Sequence, residues 1–371
     1  MELDGKQLNH MYFFNPWDVA LEISTDGFTP WKRRNSTAWP LILFNYNLPP
    51  EIWFHVEHIL ALEVILGPRK PVDVDLFLWL AVLEFIQLME GITIFDILQS
   101  ELFIQYAYVI VDFGDMPAMS LLLHMKGHNG ISPCWMCKIL SIQIPGSQAT
   151  THYIPISRVN HPSVLANPQL PQVYDLKNLP LWFHQWFLQQ AHEVESAMMN
   201  TAANDLAKCY RIKSVPILAH LSFFCFPASF LFDFMHLIFE NLLLNLVLHW
   251  TGEFKCLDEG CEDYILTKVI WEGVSQATAQ SGSTILSAYR NWVLNIASNH
   301  GYFSAEMWSF WMLYLGPILL CYYFWQPKYF KHFMLLVCLI TLCLQFKITN
   351  DEVTELQDGF MKWVQSIKSA L

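Results

Sequence analysis

The sequence predicts an α/β protein, a mixed sheet with helical cover, followed by a long helical region. Three observations carry this. Short apolar runs punctuated by turn residues fill the first third of the chain, and a helix-length apolar segment interrupts them. Beyond about residue 181 the apolar pattern is helical almost to the end.

Residues 21–25 form the first strand-like run, closed by Asp26-Gly27, a turn signal. Residues 39–45 form a second, closed by Leu48-Pro-Pro, and residues 59–66 a third, closed by Gly67-Pro68. Asp73 and Asp75 then open a periodic apolar segment over 76–89 that ends at Gly91, which reads as a helix. The run 106–112, Tyr-Ala-Tyr-Val-Ile-Val-Asp, is rich in aromatic and β-branched residues and reads as a buried strand. Residues 140–180 are rich in Pro, Ser, Gln, Asn and Thr and read as a loop or insertion boundary. Two breaks interrupt the later helices, an acidic, cysteine-bearing one at 251–263 and a small, polar one at 275–283. The tail from 351 has Asp-Glu in its first turn and Lys near its end, the charge order an amphipathic helix favours.

The 371 residues are 54% hydrophobic and only 15% charged, with a mean hydropathy of +0.29. Typical soluble chains carry about 25% charged residues, so disorder is excluded and a densely buried domain or a membrane protein remains. The net charge of −12 argues against a broad nucleic-acid surface, although an acidic chain can still hold a local basic groove. Nine cysteines, odd in number and scattered, fit a reducing compartment better than a disulfide framework. Residues 307–325 and 333–346 lack Asp, Glu, Lys and Arg, and a membrane protein with one or two spans in 307–346 is therefore an alternative. Gly316-Pro317 breaks the first run and the second is short, so buried helices of a folded core are the expectation.

Several residues have the chemistry of a site. Asp26 and Asp115 each follow a strand; carboxylates at neighbouring strand ends converge on one sheet edge and suit Mg²⁺. Turn formation is the plainer reading of both. Cys134-Trp-Met-Cys137 is half of a zinc site, with His152, Cys256, Cys261 or the 233–236 segment to complete it, or else two ordinary thiols. Asp233-Phe-Met-His236, with Glu240 four residues on, places three polar groups along one helix face, as metal ligands or as a satisfied polar stripe. Ser304 and Glu306 sit in the first turn of the next apolar helix, where ordinary capping explains them equally well.

Taken in order, Thr25-Asp-Gly-Phe-Thr-Pro, Leu48-Pro-Pro, Leu66-Gly-Pro-Arg-Lys-Pro, Asp115-Met-Pro-Ala-Met, Lys126-Gly-His-Asn-Gly, Cys134-Trp-Met-Cys137 and Asp233-Phe-Met-His236 resemble the signature of CACTA-type (En/Spm) transposases. Trp250-Thr-Gly and Ser304-Ala-Glu-Met-Trp-Ser-Phe-Trp are similar to the variant found in basidiomycete fungi. The resemblance implies an RNase H-like core holding a DDE triad that cuts DNA at transposon ends and joins the 3′-hydroxyls to a target, using two Mg²⁺ ions. It places Asp26 and Asp115 as the first two acids and Glu306, or else Glu240, as the third. It implies metal ligation by Asp26, Asp115, Asp233 and His236, with Zn²⁺ at Cys134 and Cys137. The expected organisation is a first part of the core over 20–140, a loop and mostly helical insertion over 141–300, and closing helices over 301–371. A nuclear location, transposon-end DNA as partner and a homo-oligomer follow by the same likeness. The acidic balance, the apolar stretch near 320–327 and the short lead before Asp26 imply a truncated copy of weak or no activity, or a non-catalytic relic that binds a partner.

Overall fold

The computed structural model describes residues 13, 15–29, 37–67, 71, 73–127, 131–143, 145, 152–254, 262–285 and 293–370. The chain divides into two units, Met1–Asp233 and Phe234–Leu371.

The first unit is built on a five-stranded sheet. Strands β1 (Val19–Thr25), β2 (Thr37–Asn45) and β3 (Leu60–Gly67) form an antiparallel meander. Helix α1 (Asp75–Glu90) follows, then a separate hairpin of β4 (Ile92–Asp96) and β5 (Glu101–Gln105), then β6 (Ala107–Gly114), which lies parallel to β1. A short strand β9 (Phe230–Phe232) pairs parallel on the outer side of β6, giving the order β3-β2-β1-β6-β9. The mixed α/β class expected from the sequence is therefore what the chain forms. The three early strands, α1 and β6 fall where the apolar runs put them, within a residue or two. The hairpin β4–β5 and the three-residue β9 carry too little periodicity to be read in advance.

Burial explains the assembly. Leu21 and Ile23 of β1, Leu41 and Leu43 of β2, and Val109 of β6 pack with Leu78, Val82 and Phe85 of α1 in one apolar cluster. Helix α2 (Met116–Leu122) adds Ala118, Met119 and Leu122 to it. Asp75, at the start of α1, accepts from Ile217 N at 3.2 Å and meets His124 Nε2 at 3.0 Å, so one carboxylate ties the helix to two distant loops.

The polar stretch over 140–180 is organised by a buried cation. Arg158, 3% exposed, donates to Pro171 O, to Leu140 O and to Tyr174 Oη, and its guanidinium lies over the Tyr174 ring. Around it run the two-residue strands β7 (Ile142–Gln143) and β8 (His152–Tyr153) and the short helix α3 (Pro162–Leu165). Helices α4 (His184–Glu195) and α5 (Asn200–Tyr210) pack together before β9.

Two acids stand inside the sheet. Glu22 of β1 and Asp112 of β6 are both buried, and Asp112 is the register partner of Ile23. Neither Asp112 oxygen finds a hydrogen-bond partner of ordinary geometry among the described residues. Burial pushes the Glu22 carboxyl up to about 7; burial, with the Glu22 charge added, holds Asp112 well above the usual carboxylate range. A carboxyl raised in the fold stabilises it fully below its unfolded value near 4.5 and withdraws that stability as pH rises through 7. Stability is therefore expected to fall between pH 5 and 8, and Glu22→Gln to recover up to about 3 kcal/mol at pH 8. Urea midpoints at pH 5 and 8 check this. Identical pH dependence in wild type and variant would refute it; the slope that Asp112, itself raised by burial, leaves in the variant would not.

The second unit is helical. A π-helical stretch Met235–Leu243 runs into α6 (Leu244–Thr251), followed by α7 (Lys268–Ser281), α8 (Ile296–Asn299), α9 (Ala305–Phe310), a second π stretch Trp311–Leu315, α10 (Gly316–Leu319), α11 (Pro327–Cys343) and α12 (Asn350–Ala370). The break expected at 275–283 is corrected: α7 runs to Ser281, with Ser275 and Thr278 fully buried. Their small side chains admit Trp311, whose indole N–H donates to Thr278 Oγ1 at 3.1 Å, a packing reason that composition alone conceals. Trp250, Trp308, Trp311, Phe333 and Ile340 form this unit's own core. Trp363 of α12 stacks on His332 of α11 at 4.7 Å and donates its indole N–H to the His332 carbonyl; burial lowers the His332 pKa. Among the described residues, no helix is long and apolar enough to cross a membrane.

Candidate functional site

The site begins with how strands end. β1 finishes at Thr25, β6 at Gly114 and β9 at Phe232, and an aspartate follows each: Asp26, Asp115 and Asp233. The three strands are mutually parallel and adjacent, with Ser24 opposite Phe113 and Gly114 opposite Phe232. All three aspartates therefore leave one edge of the sheet. With strands about 4.8 Å apart, their Cα positions span about 10 Å. Carboxyl ends of parallel strands are where open α/β sheets place their ligands.

Local packing fixes this edge. A Cβ on Gly114 would lie 2.9 Å from the Thr25 carbonyl oxygen, so glycine is what lets β6 close on β1 beside the two acids. Asp115 caps α2, its Oδ1 accepting from Ala118 N at 2.6 Å, which leaves Oδ2 for other work. Asp233 N donates to Gly114 O at 3.3 Å, prolonging the β6–β9 ladder by one bond, and its side chain is buried. Asp26 is exposed.

The other candidates stand on other elements. Glu240 and Glu306 belong to the second unit. His236 Nε2 meets Glu240 Oε2 at 3.6 Å, one turn apart on the π stretch. Glu306 is an exposed first-turn residue of α9, whose cap is Ser304 accepting from Met307 N. The Asp233–His236 motif thus straddles the division between the units. A cleft of about 930 Å³ in the second unit is lined by Leu248, Trp271, Glu272 and His300 and by none of these candidates.

Cys134 and Cys137 do come together. The Cys137 thiol hydrogen-bonds Cys134 and lowers it to about 7, while the same bond raises Cys137. Among the described residues no group of three or more His, Cys, Asp or Glu is placed to hold a metal, at the cysteines or at the acidic edge. Cys256 and Cys261 lie outside the described residues. The residue between the cysteines has a clearer task. Trp135 is 2% exposed, donates its indole N–H to Phe230 O at 3.0 Å and packs on the Phe232 ring at 4.3 Å. It anchors β9, and with it Asp233. Iodoacetamide at pH 7.5 is expected to modify Cys134 before Cys137, with a rate that titrates near pH 7. Peptide mapping reads the order; equal rates at the two thiols would dismiss the paired-thiol account.

Sequence reasoning missed Asp233 as a strand-end residue because Phe-Leu-Phe is too short for a period; the usable signal was an apolar run closed by Asp, as at Asp26. Two comparisons bear on this edge. Residues 4–159 match the model of the transposase family tnp2, somewhat under half of the chain and the stretch holding Asp26, Asp115, Cys134 and Cys137. No curated protein matches the chain.

Proposed function

We propose that the sheet unit is the catalytic part of a CACTA-like DNA transposase, cleaving and joining DNA strands at the edge formed by Asp26, Asp115 and Asp233. The match over 4–159 supports a transposase-like function and DNA as the partner. The observation that carries the finer reading is the succession of three aspartates beyond three adjacent parallel strands. An antiparallel meander followed by two parallel strands is the order an RNase H-like core has. In this reading Asp233 takes the third acidic place.

Carboxylate oxygens are the ligands Mg²⁺ prefers, but the three aspartates are not drawn together into a metal group in this structure, so a bound ion would have to gather them. Asp26, Asp115 and Asp233 would hold it, and bound there it would supply positive charge against the developing negative charge of a phosphoryl displacement. The chain's own part is positional. The Ala118 amide orients the Asp115 carboxylate, Gly114 keeps the first two acids close, and Trp135 holds the strand that carries the third. The second unit and its Glu240 and Glu306 are a separate helical body in this account.

The test is nicking of supercoiled plasmid by the full chain with Mg²⁺. Wild-type nicking that EDTA abolishes, and that Asp26→Asn or Asp115→Asn each lowers at least about a hundredfold, is the expected result. Nicking that survives both substitutions would remove the acidic edge from the mechanism.

A further inference from the structure

A chain with a net charge of −12 nevertheless gathers four cations at one place in its first unit. Met125 and Ile212 form an antiparallel bridge, Lys126 N donates to Arg211 O at 2.9 Å, and Lys213 N donates to His124 O at 2.8 Å. This short ladder sets Lys126 opposite Arg211 and Lys213 beside them. Lys208 lies one helical turn earlier, near the end of α5, where it meets Asp205 at 3.6 Å. Lys208 and Lys213 are exposed, and Lys126 and Arg211 half-buried. Like charges directly opposite on a ladder repel, so an anion seated there would relieve the arrangement. Burial, then the charges of Lys208, Arg211 and Lys213, hold the Lys126 ammonium below its ordinary value.

Arg211 adds a second, independent observation. It closes α5 in the left-handed region, φ 69°, where helices commonly end in glycine because a side chain is strained there. A strained position occupied by a guanidinium keeps a planar, two-pronged donor that matches phosphate oxygens.

We propose that Lys126, Lys208, Arg211 and Lys213 form a docking surface for the phosphodiester backbone of duplex DNA. Its place relative to the acidic edge is set by α2, whose first turn Asp115 caps and whose end lies four residues before Lys126. Seven helical residues span about 10 Å, or about three base pairs of duplex axis. A strand held here would thus continue toward Asp115 within a few nucleotides. The inference rests on the reading of DNA as substrate and concerns positioning, which phosphate contacts do without reading sequence.

The test uses the full chain in EDTA and a fluorescein-labelled 30-base-pair duplex, read by anisotropy from 50 to 300 mM KCl. Lys126→Gln with Lys213→Gln, and separately Arg211→Gly, are expected to weaken binding at least about tenfold at low salt. Each contact removed should lower the log–log salt slope by about 0.9. Arg211→Gly also relieves the left-handed strain, so its Tm should match or exceed wild type, which separates lost binding from lost folding. Lys268→Gln, in the second unit, is the control and should bind as wild type. Cluster variants that bind like wild type, with plasmid nicking intact, would overturn the docking surface alone. Wild type that binds phosphatidylserine vesicles in preference to duplex, or binds neither, would overturn it as well. Binding that depends on the cluster while Asp26→Asn and Asp115→Asn leave nicking unchanged would instead uphold the surface and remove the acidic edge.

Discussion

Asp233→Asn is expected to lower Mg²⁺-dependent plasmid nicking at least about a thousandfold, some 4 kcal/mol of transition-state stabilisation, while Glu306→Gln and Glu240→Gln stay within about threefold of wild type. The substitution removes one anionic oxygen pair and keeps size and hydrogen-bonding shape. Asp233 is placed for this by its backbone: its N–H extends the ladder to Gly114 O, so it leaves the sheet beside Asp115. Glu306 is an exposed first-turn residue in a unit with its own core. Glu240 already faces His236 across one helical turn. The measurement is single-turnover nicking with each variant at matched Tm. A collapse with Glu306→Gln and near-normal activity with Asp233→Asn would transfer the third acidic role to α9 and overturn the strand-end triad.

Trp135→Ala should be the most damaging single truncation in the first unit, costing about 3–5 kcal/mol. The indole is almost wholly buried, so its removal opens a cavity against Phe232. It also strips Phe230 O of its indole donor, on an edge strand of only three residues. Trp135→Phe keeps most of the apolar contact and loses only the N–H, and should cost about 1–2 kcal/mol. Urea midpoints give the cost, and amide exchange at Phe230, Leu231 and Asp233 should accelerate in the alanine variant before the rest of the sheet opens. A cost under about 1 kcal/mol, or exchange that rises uniformly across the sheet, would show that β9 does not depend on the indole.

The Cys134–Cys137 segment has two readings. In one it is a half-built metal site; in the other its cysteines flank the residue that matters for the sheet edge. The described residues offer the thiol pair no further ligand, whereas Trp135 has both a donor contact and a ring contact on β9. The spacing of the two cysteines was legible in the sequence. Trp135 was read only as a spacer between them, because nothing local indicates where a tryptophan is buried.

Strands β1, β2, β3 and β6 and helices α1 and α12 were determined by the sequence itself, because each is long enough to show its period and is closed by its own turn or capping residues. Asp26 and Asp115 were legible for the same reason, each standing at the end of such a run. What needed the tertiary structure was everything set by partners far along the chain. β9 exists because Gly114 and Trp135 accept it, α7 continues through small polar residues because Trp311 needs the space, and the 140–180 stretch is ordered by one buried arginine. The cationic cluster joins residues 126 and 208–213 through a single bridge, and the Glu22–Asp112 pair through parallel register. Local pattern records which face of an element is apolar; which elements then lie side by side, and so which charges and carboxylates meet, is decided by long-range burial and pairing.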